Sequence, residues 1–183
     1  MGAIMDNIEK NELISKKEVI HIFNNVSIIQ EPKVPFPQVD VLSDLISVLD
    51  ELYSYEMSRE DIMTLFEMKN RQFKYYMSAG SYLGVLEQNN NKYSLNEKGK
   101  EIFSHDLHDR NLEIVKLILE HKPFRDVYKN YLIHGTIPHR DIVADILKEN
   151  NIYNVKSEVT LKRRATSTRS WIKWIVNLYE DAY

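Results

Sequence analysis

One interruption of helical patterning constrains this chain more than any other feature. In GVLEQNNNKYSL, residues 84–95, the helical spacing stops and two short strand-like pieces, GVLEQ and KYSL, face each other across an Asn-rich turn of the kind that closes hairpins. Three helix-patterned segments come before it. Leu42, Leu45, Ile46, Leu49, Leu52 and Tyr53 fall at helical spacing, with Asp40 or Ser43 as the N-cap. Ser58 with Asp61 three residues on opens a short second helix that buries Ile62, Leu65 and Phe66. A third runs from about Asn70 through NRQFKYYMSAGSYL and turns Phe73, Tyr76, Met77 and Leu83 inward.

Helix, helix, helix and hairpin in that order predict a winged helix-turn-helix, whose third helix normally enters the major groove while the hairpin forms the wing. The plan then begins to repeat. NEKGKEIF is one more helical turn, and Asp109 is the expected cap of NLEIVKLILEH, with Leu112, Val115, Ile118 and Leu119 in one stripe. Pro123 stands in a first turn, where its missing N–H does no harm, so PFRDVYKNYLI is a helix closed by Gly135. Pro138 opens HRDIVADILKEN, burying Ile142, Val143, Ile146 and Leu147, and Ser157 caps a long last helix. Its buried stripe is Leu161, Ala165, Thr168, Ile172, Ile175 and Tyr179.

The expected architecture is therefore mainly α: tandem winged helix-turn-helix units with one small β-hairpin wing. Pro32, Pro35 and Pro37 exclude regular helix and set a boundary near residue 40. That gives an N-terminal arm over 1–39, a winged-helix unit over 40–106 and a helix-turn-helix-like unit over 107–183. The arm holds a short helix, SKKEVIHIF, and an apolar run, VSIIQ, readable as an edge strand or a docking segment.

Composition removes several function classes. With no cysteine, disulfides, thiolate zinc sites and cysteine nucleophiles are excluded, and a reducing compartment, the cytoplasm, is expected. No apolar run approaches the roughly 20 residues of a membrane span, so no membrane partner is expected. MGAIMDNIEK lacks the layout of a secretory leader, and Asp6 stands where myristoylation needs a hydroxyl. The net charge is −3, yet between Lys156 and Lys173 the cations Lys156, Lys162, Arg163, Arg164, Arg169 and Lys173 face Glu158 alone.

That local excess is the sharpest functional signal. Lys162, Thr166, Arg169 and Lys173 form a second row on the last helix, flanked by Arg163, Ser167 and Ser170. Cations with interleaved hydroxyls serve both phosphate neutralisation and base-edge hydrogen bonding, and a solvated amphipathic face is the plain alternative. Trp171 and Trp174 beside the row are read as core packing rather than base stacking. Lys69, Arg71, Gln72, Lys74 and Tyr75 gather at the start of the third helix, where Arg71 and Gln72 suit guanine and adenine edges or else cap the helix end. Lys92 at the wing tip is a further DNA-binding candidate, meeting a phosphate or simply belonging to a polar turn.

SHDLHD, with His105, Asp106, His108 and Asp109, can place two imidazoles on one helical face but is read as a polar inter-unit linker rather than a metal site, since no third ligand to join them lies nearby in sequence. The E-x-K of Glu120 to Lys122 falls at a helix end and has no sheet to carry it; Gly-rich phosphate loops, G-x-S-x-G and H-E-x-x-H do not occur. No catalytic centre, cofactor or metal is expected.

NRQFKYYMSAGSYLGVLE followed by YSLNEKGKEIF resembles the pattern of winged-helix domains found in or beside bacterial type II restriction enzymes, and TLKRRATSTRSWIKWI is similar to the C-terminal pattern of the same domains. Together these cover about residues 41–176. The general plan also resembles the tandem winged-helix recognition part of FokI-type endonucleases and, more distantly, the AAA-associated domains of some transporter ATPases. The resemblance implies sequence-specific binding of double-stranded DNA in a restriction-modification setting, with Arg71, Gln72, Arg163, Arg164 and Thr166 at motif positions and a nuclease domain or subunit as partner. A protein-interaction or transcription-regulatory module is the alternative, because the fold alone does not fix function.

Overall fold

The computed structural model describes residues 14–180. The expectations placed on the leader and the myristoylation pattern fall outside the described residues, as does the remainder of the arm before Ile14. The architecture is mainly α with one small antiparallel sheet. Helix α1 (Lys16–Asn25) is opened by a capping box in which Ser15 and Glu18 satisfy each other's backbone N–H. A proline-containing strap, residues 26–41, leads to α2 (Leu42–Ser54), β1 (Met57–Ser58), α3 (Arg59–Leu65) and α4 (Asn70–Tyr82). The hairpin β2 (Leu86–Asn89) and β3 (Lys92–Leu95) precedes α5 (Glu97–Ser104) and α6 (Leu107–Leu119). Then come α7 (Lys122–His134), α8 (Arg140–Glu149) and the long α9 (Glu158–Glu180).

The sheet order is β1-β3-β2, with Met57 opposite Tyr93 and Leu86 opposite Leu95. Asn90 and Asn91 both have positive φ, 48° and 62°, as a two-residue hairpin turn matched to strand twist requires. The β1 strand is too short to read from sequence, and its pairing ties the end of α2 to the hairpin. At the other end of the molecule Gly135, at φ 71°, closes α7 where the sequence placed it.

Buried side chains of the strap and of both halves join in one cluster. At its centre the rings of Tyr82 (α4), Phe36 (strap), Phe124 (α7) and Trp171 (α9) meet in succession. Their centroids lie 5.3 Å apart for Phe36–Tyr82, 5.3 Å for Phe36–Phe124 and 5.1 Å for Phe124–Trp171. Each such pair adds about 0.5–1.5 kcal/mol beyond area burial. Rings packed this way leave α4 and α9 little freedom to slide past each other.

The strap is fastened along its length. Arg125 Nη1 donates to the Val26 carbonyl at 3.1 Å, and Ile29 N–H to the Glu120 carbonyl at 3.0 Å. Glu31 accepts from Tyr82 Oη at 2.5 Å and lies 3.3 Å from His121 Nδ1. Trp171 Nε1 donates to the Val39 carbonyl at 2.8 Å.

Several local expectations change. VSIIQ is no strand; it is the docking segment, anchored by Arg125 at the Val26 carbonyl and by the Ile29 N–H at the Glu120 carbonyl. Neither Asp40 nor Ser43 caps α2, whose N-cap is Val41, because the Asp40 carboxylate accepts from Ser167 Oγ at 2.6 Å and its carbonyl from Ser170 Oγ. Asp106, not Asp109, caps α6 and accepts the Asp109 N–H at 2.9 Å. Tyr53, Leu65 and Ile142, expected inward, are exposed. Each lies at the edge of its helix's apolar stripe, and the buried neighbours Leu52, Ile62 and Val143 take the core contact instead. The stripe of α9 is buried throughout as spaced, and Trp171 is fully enclosed.

Candidate functional site

The N-terminal half of α4 and the first half of α9 open on one shared cleft of about 200 Å³. Arg71 and Tyr75 line it from α4; Arg163, Arg164 and Thr166 line it from α9; Asp40 closes it from the strap. These two helices are separated by some ninety residues of sequence, and the aromatic stack beneath them sets their spacing.

The local sequence explains how each side chain arrives there. Arg71 and Tyr75 are four apart on α4, hence on one face. Arg71 Nε donates to Tyr75 Oη at 2.5 Å, and its guanidinium lies 5.3 Å from the Tyr75 ring centroid. Arg163 is exposed and has no ion pair among the described residues. Arg164 is half-buried, and its Nε is buried without a hydrogen-bond partner among the described residues. Burial lowers the pKa of that guanidinium, and the charge of Arg163 pushes the same way. Thr166 Oγ1 donates to the Lys162 carbonyl at 3.2 Å and stays exposed.

The other expected contact residues divide into two groups. Lys69, Lys74 and Lys173 are exposed without ion pairs among the described residues. Lys92 is exposed but lies 3.7 Å from Glu56, and Lys162 lies 3.2 Å from Asp141, whose pKa is held low by that contact. Gln72 accepts the Lys69 N–H at 3.0 Å, so its carbonyl caps α4 rather than standing free.

Three members of the α9 set act inward. Ser167 is buried and bonded to Asp40; Ser170 donates to the Asp40 carbonyl; Arg169 Nε donates to the Pro138 carbonyl at 2.7 Å. On an α-helix the residues beside the buried stripe sit at its margin, where they meet neighbouring backbone before they meet solvent. Sequence spacing placed these three on the cationic side without showing the strap and the α7–α8 connection that take them up.

SHDLHD, expected to be a linker, instead runs from the end of α5 into the first turn of α6, where ligand atoms of Asp106, His108 and Asp109 lie within 4.8 Å of one another. Both His108 nitrogens are already taken, Nδ1 at 3.0 Å from Asp109 and Nε2 at 3.2 Å from Glu18 on α1. The segment clasps α1 to α6. Sequence reasoning missed Asp40 and the strap as parts of the α4–α9 cleft; the only signal was the acidic residue just after the proline cluster.

No helix among the described residues is long and apolar enough to cross a membrane. A protein family described as a domain of unknown function (DUF7226) matches residues 44–180. No curated protein and no solved structure matches the chain.

Proposed function

This chain belongs to the DUF7226 family, and from the geometry above we propose that it binds double-stranded DNA through the face shared by α4 and α9. The observation that carries the reading is the convergence of Arg71, Arg163 and Arg164 on one cleft between two helices remote in sequence. Unpaired cations on α4 and α9, Lys69, Lys74 and Lys173, extend that face for phosphate contacts.

The winged-helix unit of this reading spans residues 40–106. The order α2, β1, α3, α4, β2, β3, with β1 paired to β3 of the hairpin, supports it. In that reading α4 enters the major groove, and the Asn90–Asn91 turn approaches the backbone. The target-recognition role in restriction-modification, with a nuclease domain or subunit as partner, rests on the sequence resemblance.

Fluorescence anisotropy with a random 20-base-pair duplex tests the reading. Affinity should fall steeply between 50 and 200 mM salt, since each neutralised phosphate contributes about 0.9 to the log–log slope. Replacing Arg163 and Arg164 together with alanine should lower both the affinity and the slope. Duplex binding that ignores salt, or no duplex binding at 50 mM, refutes the proposal. Selection from a random duplex library by the full chain then reads the sequence preference.

A further inference from the structure

The α4–α9 cleft has features that a merely cationic surface does not need. A solvated arginine satisfies its donors with water, but the Arg164 Nε is withdrawn from water and has no acceptor among the described residues. Burial also disfavours its charged form, so the site holds a guanidinium at a disadvantage that an anion would relieve. Arg71 is held by Tyr75, which fixes the guanidinium before any ligand arrives. Because the Tyr75 oxygen accepts from Arg71, its own O–H is left to donate. The one carboxylate in the lining, Asp40, is engaged by Ser167.

Size narrows the ligand. About 200 Å³ lies below the roughly 300–1,000 Å³ of pockets that enclose a small organic molecule. One tetrahedral oxyanion fits within the cleft, and any sugar and base attached to it lie outside its open mouth.

We propose that this cleft is a site for a single phosphoryl group, clamped by Arg71, Arg163 and Arg164 with Tyr75 as a further donor. For a phosphodiester of the DNA backbone the inference rests on the DNA-binding reading; for a terminal phosphate monoester it stands without it. Three guanidiniums against one carboxylate leave the site cationic, and Asp40 limits how tightly it holds an anion.

The experiment is a titration of the full chain with inorganic phosphate at constant ionic strength, chloride replacing phosphate, read by the side-chain Nε–Hε resonance of Arg164 and by melting temperature. Phosphate is expected to shift both saturably where chloride does not. Arg163→Ala, at an exposed position that leaves folding intact, and Arg164→Gln should each weaken phosphate binding by about tenfold, the effect of losing one charge-assisted bond. Asp40→Asn should tighten it, a gain that damage to the fold would not produce. Competition by a duplex without terminal phosphates identifies the phosphodiester as the source, and competition by deoxyadenosine monophosphate alone identifies the monoester. A response to phosphate no greater than to chloride, or an unchanged affinity in both arginine variants, overturns the site, whether or not duplex binds. Phosphate binding by a chain that fails to bind duplex upholds the site and sinks the DNA reading instead.

Discussion

Glu31→Ala separates a strap that organises the molecule from an arm that merely lies on it. Glu31 is the acceptor for the Tyr82 hydroxyl at 2.5 Å and lies 3.3 Å from His121 Nδ1, and those two partners are 3% and 1% exposed. The Tyr82 and His121 rings are themselves stacked, with centroids 4.1 Å apart. Burial and the neighbouring carboxylate raise the Tyr82 pKa, so the phenol keeps its proton and remains a donor.

A hydrogen bond to a charged acceptor contributes about 1.5–3 kcal/mol, and a buried group left without its partner costs about 1–3 kcal/mol. The Glu31 side chain is 25% exposed, so water reaches part of the gap and the two effects do not add in full. The expected loss is about 2–3 kcal/mol, which for a domain of this size lowers the melting temperature by roughly 4–12 °C. Thermal unfolding followed by circular dichroism measures it. Glu31→Gln is the control: its carbonyl still accepts from Tyr82, and its amide donates to Nδ1 of the other His121 tautomer, so it should melt within about 2 °C of the parent. If alanine melts with the parent, or glutamine falls as far as alanine, the Glu31 contacts do not fasten the strap and the account of the central stack is wrong.

Two further outcomes follow from local geometry. An alanine Cβ at Gly99 would sit 2.6 Å from the Val85 carbonyl oxygen and 3.0 Å from Leu95 Cβ, and backbone at a strand end yields little, so Gly99→Ala should destabilise by about 1–3 kcal/mol in urea unfolding; a value under about 0.5 kcal/mol refutes that close approach. The Asp109 hydrogen bond, then the charge of Glu18, raises the His108 pKa, while Ser15 holds that of Glu18 low. The histidine contribution is therefore full below about pH 6.5 and lost as pH rises through its raised value, and the Glu18 contribution is lost as pH falls below about 4.3. The protection factors of α1 amides, corrected for intrinsic exchange, should be largest between those limits, and in His108→Ala the alkaline loss of protection should vanish.

What the sequence made legible was local. The hairpin turn, the Ser58 and Ser157 helix starts, the Gly135 stop and the α9 stripe are each set by residues within a few positions of one another. A spacing rule reads such features directly. The strap was not legible, because VSIIQ has strand-forming residues but its long-range partners are the Arg125 side chain and the Glu120 carbonyl, from a helix and a helix end that propensity cannot foresee.

The site lies between these extremes. Arg71 and Arg163 each stood out by type and position, yet nothing in either segment states that α4 and α9 flank one cleft; the Tyr82, Phe36, Phe124 and Trp171 rings decide that, and they come from four elements. The same packing explains the misplaced members of the cationic row. A helix turned to bury Trp171 and Ile172 necessarily brings Ser167 and Ser170 under the strap and carries Arg169 to the Pro138 carbonyl, while Arg163 and Thr166 stay outside. Rotation of one long helix about its axis thus sorts eight candidate side chains into fasteners and free groups, and the rotation is fixed by tryptophan, not by charge.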